Sequence, residues 1–120
     1  MAKIIHLETH SDQRGHLTVI EKEIPFNIRR IFYIYGVDNS IRGGHRHLVT
    51  DQAAICLCGM CRIHCDNGHT QEEFCLDRPD KCLLIDHSDW HYMYDFTPNS
   101  ILLVIASTEF DNQDYIFTPY

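Results

Sequence analysis

The sequence predicts an all-β fold, a sandwich or small barrel. Three observations lead there. Short runs rich in Ile, Val, Phe and Tyr recur about every eight to twelve residues, turn-forming residues separate them, and no stretch sustains the helical period of about 3.6 residues. The first runs cover residues 3–7 and 16–21. In the run 30–35, Tyr33 and Tyr35 share one face and Phe32 and Ile34 the other, which predicts burial on both sides. Residues 43–47 and 52–57 follow, and Cys58-Gly59-Met60 forms a tight turn into 61–65. Asn67-Gly68 predicts a type I′ hairpin turn into 72–76, since both central residues of that turn need positive φ. Runs at 82–86, 90–96, 101–107 and 115–117 complete the series, and Pro25, Pro79, Pro98 and Pro119 fall between or beyond the runs, where a missing N–H breaks no ladder.

With 120 residues and 44% apolar content, residues 1–120 are expected to form one globular domain with a substantial core. The formal charge of −7 disfavours nucleic acid and anionic membrane surfaces as partners. No apolar run reaches the roughly 20 residues of a membrane helix and the start lacks a secretory signal, so a cytoplasmic location is expected. Disulfides are not expected in that compartment. Cys56, Cys58, Cys61 and Cys65 superficially suggest zinc, but a second ligand pair at suitable spacing is missing. Small apolar core residues at period two explain them more simply.

Arg42-Gly43-Gly44-His45-Arg46-His47 carries the most chemistry. Side chains two apart on a strand leave the same face, so His45 and His47 project together. Such a pair suits proton transfer near neutral pH, half of a metal site, or simply a polar outer face. A metal would need Asp51 or Gln52, and His91, as further ligands; Gln52 is a poor ligand for a divalent ion, so no metal is assigned. A Tyr33 hydroxyl facing a cavity would serve as an acid. Arg29, Arg30, Arg42 and Arg46 form the dense basic cluster of an acidic chain, suited to a diphosphate or to a charge-balancing surface. Along residues 90–95, His91, Met93 and Asp95 alternate with Trp90, Tyr92 and Tyr94, aromatics that could stack on a base or pack in the sheet.

In this setting the chain resembles the sugar 3,4-ketoisomerase family of cupins over nearly its whole length. The likeness rests on Asp12-x-Arg14-Gly15, Ile24-Pro25-Phe26 running into Arg30-Ile31-Phe32-Tyr33-Ile34, Arg42-Gly43-x-His45-x-His47 with Gln52, and Leu57-x-Gly59 with Asp66-x-Gly68. It continues through Trp90-His91-x-Met93-x-Asp95-Phe96, Ala106-Ser107 and Asp114-Tyr115-Ile116. The resemblance implies an antiparallel jelly-roll barrel and a homodimer whose subunits can exchange strands. It also implies metal-free, cofactor-free isomerisation of dTDP-4-keto-6-deoxyglucose. It assigns His45, His47 and Tyr33 to the active site. Arg42, with Arg30 or Arg14, is then expected to hold the diphosphate, with Gln52, Trp90 and His91 as further substrate contacts. Leu48 and Arg46 depart from the family pattern at positions off the inward face. The sugar-nucleotide 3,5-epimerases, a metal-dependent cupin enzyme and a non-catalytic sugar-nucleotide-binding cupin are the alternatives.

Overall fold

A computed structural model describes residues 1–120. Its strands are β1 (Lys3–His6), β2 (Thr9–Asp12), β3 (Gly15–Thr18), β4 (Arg30–Tyr35), β5 (Arg42–His47) and β6 (Gln52–Cys58). They continue as β7 (Cys61–Asp66), β8 (Gln71–Leu76), β9 (Lys81–Ile85), β10 (Trp90–Tyr94), β11 (Ile101–Ala106) and β12 (Tyr115–Ile116), the last preceded by a 3₁₀ turn at Asn112–Asp114. One antiparallel sheet has the order β1-β9-β6-β11-β4 and a second the order β12-β5-β10-β7-β8, while β2 and β3 pair only with each other. This is the all-β cupin jelly roll. No helix is long and apolar enough to cross a membrane.

Strand alternation decides what fills the space between the sheets. Ala54, Cys56, Leu102 and Val104 of the first sheet meet Cys61, Ile63, Leu76 and Met93 of the second in one buried cluster. On the other face of the first sheet, Ala53, Ile55 and Ile105 are covered by Leu7 and Ile24 from the N-terminal segment. Because β6 is buried on both faces, it reads as a nearly continuous apolar run. The cysteines at 56, 61, 65 and 82 pack there as small apolar residues, whereas Cys58 is exposed.

Four local expectations need correction. Thr9–Asp12 is a strand that its polar sequence does not announce, because its only partner is the equally exposed β3. The run expected to reach residue 21 ends at Thr18. Asp95 is the only non-glycine residue with positive φ, so Asn67-Gly68 is not a type I′ turn. The Asn67 side chain instead accepts from the backbone N–H groups of His69 and Thr70, closing a longer loop. Finally, covering of the first sheet's outer face stops short of β4. Phe32 and Ile34 pack against the core, but Ile31, Tyr33 and Tyr35 remain exposed. The tight turn at Gly59 does form (φ +69), joining strands of different sheets; a Cβ there would collide with Thr97.

Candidate active site

The site begins with a bulge. Gly43 and Gly44 both have positive φ (+88° and +83°), and a Cβ on Gly43 would lie 3.1 Å from the His91 carbonyl oxygen and the Tyr92 Cα. Register shifts here: His45 pairs with His91, Tyr92 with Gly43 and Met93 with Arg42. Directly paired residues share a face, so the extra residue returns Arg42 to the inner side that His45 and Met93 occupy. Strict alternation would have put Arg42 and His45 on opposite sides.

Three imidazoles converge on that inner face. The His45 ring centroid lies 5.0 Å from His47 and 5.0 Å from His91, and His47 and His91 are 6.2 Å apart. From the adjoining edge strand β12, Tyr115 pairs with His47 and packs its ring 4.8 Å from His45 and 4.6 Å from His47. Phe117 closes in at 6.2 Å from His45. Burial drives the His45 pKa down to about 4, helped by neighbouring His47, with the Gly43 backbone pulling the other way. His91 is wholly buried, which pushes its pKa down to about 3 against a hydrogen bond to the Asp89 backbone. Burial also lowers the His47 pKa despite the opposing pull of Asp114, so the shifts at all three rings favour the neutral imidazole.

Hydrogen bonding orients two of the rings. His91 Nδ1 lies 3.0 Å from the Asp89 carbonyl oxygen, which can only accept, so Nδ1 donates and Nε2 is a free acceptor. His47 Nδ1 lies 2.8 Å from Asp114 Oδ2, with both side chains buried. The Nε2 atoms of His47 and His91 are buried without a protein partner, as is Gln52 Oε1. Gln52 is on the same face of β6 as Ala54 and Cys56.

Asp114 closes the 3₁₀ turn, whose preceding residue Asp111 caps it by accepting from Gln113 N–H at 3.0 Å. Its Oδ1 accepts from Val49 N–H at 2.8 Å, and Oδ2 also accepts from the Thr50 hydroxyl. Desolvation works against the charge, but the bonds from Thr50, Val49 and His47 outweigh it and hold the Asp114 pKa below the usual carboxylate range. Nothing in its sequence position marks this aspartate as a histidine partner. The signal was available only in the pairing of β12 with β5.

The other expected residues divide. Arg30 is half-buried on the inner face, its guanidinium 5.4 Å from the Phe32 ring centroid and 5.7 Å from that of Phe110, and its charge is felt at His47. Tyr33 is not beside the histidines: β4 alternation turns it outward with Tyr35, and it is 63% exposed. The tyrosine that touches the imidazoles is Tyr115. Trp90 also leaves the opposite face from His91, where its Nε1–H donates to the Phe117 carbonyl at 3.4 Å. Arg14 sits at the tip of the β2–β3 hairpin, bonded to Asp12. Asp51 turns to His87, 3.0 Å away. Arg46 and Leu48 lie off the inner face as expected, Arg46 over the Tyr120 ring at 4.5 Å and Leu48 exposed.

Known proteins with this architecture fall into two grades of likeness. A TDP-4-oxo-6-deoxy-alpha-D-glucose-3,4-oxoisomerase from Aneurinibacillus thermoaerophilus is 38% identical over 117 residues, covering 95% of this chain and 84% of that protein. The crystal structure of a mutant 3,4-ketoisomerase QdtA from Thermoanaerobacterium thermosaccharolyticum, in complex with TDP-4-keto-6-deoxyglucose, matches with a TM-score of 0.94. It is 37% identical and covers 98% of this chain and 87% of that one. A dTDP-4-dehydrorhamnose 3,5-epimerase from Bacillus anthracis shares the fold (TM-score 0.82, 95% and 76% covered) at only 14% identity. The family model "FdtA: WxcM-like, C-terminal" matches residues 1–119, and the chain belongs to that family.

Proposed function

We propose that this protein is a sugar-nucleotide 3,4-ketoisomerase, converting dTDP-4-keto-6-deoxyglucose to a dTDP-3-keto-6-deoxyhexose by acid–base chemistry through an enediol. The observation that carries the reading is the cluster of neutral imidazoles with two free Nε2 acceptors on one face. A C3 proton is acidified by the neighbouring ketone, so a neutral imidazole is a sufficient base, worth about 10²–10⁴-fold. No electrons enter or leave the sugar, and the chemistry calls for neither redox cofactor nor Lewis acid. His45 and His47 act on the sugar, with His91 and Gln52 accepting from its hydroxyls. Arg30 and Arg42 hold the diphosphate, since both flank the histidines from the inner face. Tyr115 replaces Tyr33 as the tyrosine of the site.

The working unit is a single cupin domain paired as a homodimer. Ile31, Tyr33 and Tyr35 expose an apolar stripe on edge strand β4, and the unattached β2–β3 hairpin is free to reach a second copy, carrying Arg14 with it. The enzyme works in the cytoplasm, supplying a deoxysugar nucleotide for polysaccharide synthesis.

Incubation with dTDP-4-keto-6-deoxyglucose in D2O, followed by NMR, tests the reading. The expected product is a 3-keto sugar, formed undiminished after chelation and gel filtration. Deuterium at C3 and C5 with the carbonyl still at C4 would mean a 3,5-epimerase. TDP binding with an unchanged sugar would mean a binding module.

A further inference from the structure

We propose that Tyr120 is a positioning residue that acts through β12: docked on the outer side of the second sheet, it anchors the segment 117–120 and so keeps Tyr115 and Phe117 against the imidazoles on the inner side. The kinetic part of this assignment rests on the isomerase reading above. β12 needs such an anchor. It is a two-residue edge strand whose whole ladder is Tyr115 with His47 and Ile116 with Arg46, far short of the roughly five or six residues of an ordinary strand. Its upstream end is held, since Asp114 accepts from Val49 N–H at 2.8 Å through its side chain and from Leu48 N–H at 2.9 Å through its backbone. Downstream the ladder stops at Ile116, and side chains take over.

Four contacts meet the segment there. Trp90 Nε1–H, on β10, donates to the Phe117 carbonyl at 3.4 Å. The Tyr120 hydroxyl donates to the Ser88 carbonyl, in the loop between β9 and β10, at 2.6 Å. The Arg46 guanidinium, on β5, lies 4.5 Å from the Tyr120 ring centroid. A Cβ on Gly68, in the loop between β7 and β8, would lie 3.0 Å from the same ring, so the bare glycine leaves the ring its seat. Tyr120 is 53% exposed, and directional contacts rather than burial hold it. Arg46 is half-buried, where a cation over an aromatic face gains more than it does in open water.

Alternation links the anchor to the site. His45 and His47 leave one face of β5 and Arg46 the other. On β12, Tyr115 and Phe117 share the histidine face, their rings 6.0 Å apart and within 20° of parallel, and Ile116 takes the opposite one. The chain thus folds over the edge of the second sheet, with two aromatic rings inside, 4.8 Å and 6.2 Å from His45, and the Tyr120 ring outside. Release of Tyr120 would leave a single hydrogen bond, from Trp90, holding the backbone at Phe117, and the wall beside His45 would open. The arrangement also gives Arg46, which departs from the family pattern and faces away from the histidines, a part in shaping the site.

The test pairs hydrogen–deuterium exchange of the unliganded protein with steady-state kinetics on dTDP-4-keto-6-deoxyglucose, for Tyr120→Ala, Tyr120→Phe, Arg46→Gln, Arg46→Lys and the Tyr120→Ala/Arg46→Gln pair. In Tyr120→Ala, exchange is expected to quicken at least about tenfold in residues 115–117 and to stay unchanged in β6 and β11. KM should rise about 5–50-fold as the fraction of molecules with the segment seated falls, while kcat stays within about threefold because the reacting groups are intact once it closes. Arg46→Gln should move both readouts part of the way, and Arg46→Lys, which keeps a cation, should recover most of that loss. Tyr120→Phe, which keeps the ring and drops the Ser88 bond, should fall between wild type and Tyr120→Ala. The double variant should be no worse than Tyr120→Ala, since both changes act through one contact. Unchanged exchange at β12, quickened exchange with KM held, a kcat loss with KM held, or losses that multiply in the pair each overturn the proposal. A wild type that leaves the 4-keto sugar untouched sinks the isomerase reading instead, and the exchange measurement then decides the anchor alone.

Discussion

The interior between the two sheets has two ends, opposite in character and joined through one shared strand. Toward one end, β7 and β11 bring Ile63, Leu102 and Cys61 into contact with Leu76 and Met93, all buried and all apolar. Toward the other, β5 and β10 bring His45, His47 and His91 together, and Nε2 atoms stand buried without partners. Strand β10 belongs to both, contributing His91 and, two residues on, Met93. Unpartnered buried polar atoms cost stability while close-packed side chains contribute it. The apolar end supports the fold, and the histidine end spends part of that stability on groups poised for a ligand.

Substitutions can sharpen that division. The largest effect is expected at the histidine end: His91→Leu, which removes the Nε2 that accepts from a sugar hydroxyl, should lower turnover by about 10–10²-fold. Thermal melting of the same variant should show stability nearly held, because losing the Nδ1–H bond to the Asp89 carbonyl is offset by removing the unpartnered Nε2. A melting temperature that falls with activity would erase the distinction. At the apolar end the order reverses. Leu102→Ala should cost about 2–5 kcal/mol in denaturant unfolding while kcat per folded molecule holds.

Acid probes the histidine end. His45 and His91 have folded pKa values of about 4 and about 3, depressed below their ordinary 6.5. The unfolded chain therefore binds more protons below pH 6.5, so the stability these rings contribute is complete above that pH and is lost as pH falls toward the folded values. The expected slope is about 1.4 kcal/mol per pH unit for each ring, measured by urea unfolding from pH 6.5 down to 4.5. His91→Leu should flatten it. The smallest effect is expected for Tyr33→Phe, whose hydroxyl leaves the outer face; kcat should stay within about twofold, and a large loss would return Tyr33 to the chemistry.

Much of this was legible in the residue pattern. Runs rich in Ile, Val, Phe and Tyr marked most strands of the two main sheets, because a half-buried strand must alternate and a doubly buried one such as β6 must be apolar throughout, while β5 was marked only by its His-x-His spacing. Only β2 escaped, since it buries nothing. The proximity of His45 and His47 followed from period two. Tyr33 stands apart from the histidines for a definite reason: alternation says that Tyr33 and Phe32 face opposite ways, but not which way is inward. That choice depends on what covers the outer face of the first sheet, and the N-terminal segment stops before β4.

What the sequence by itself determined is therefore local: strand alternation, the His-x-His face, and the glycines that permit a bulge, all consequences of backbone geometry within a few residues. The tertiary structure alone decided the company those groups keep. Asp114 meets His47 across 67 positions of chain because β12 pairs with β5, and His91 joins them because β10 lies on the other side of β5. Such meetings depend on which strands pair and in what register, and a contact between distant segments leaves no period in either one to reveal it.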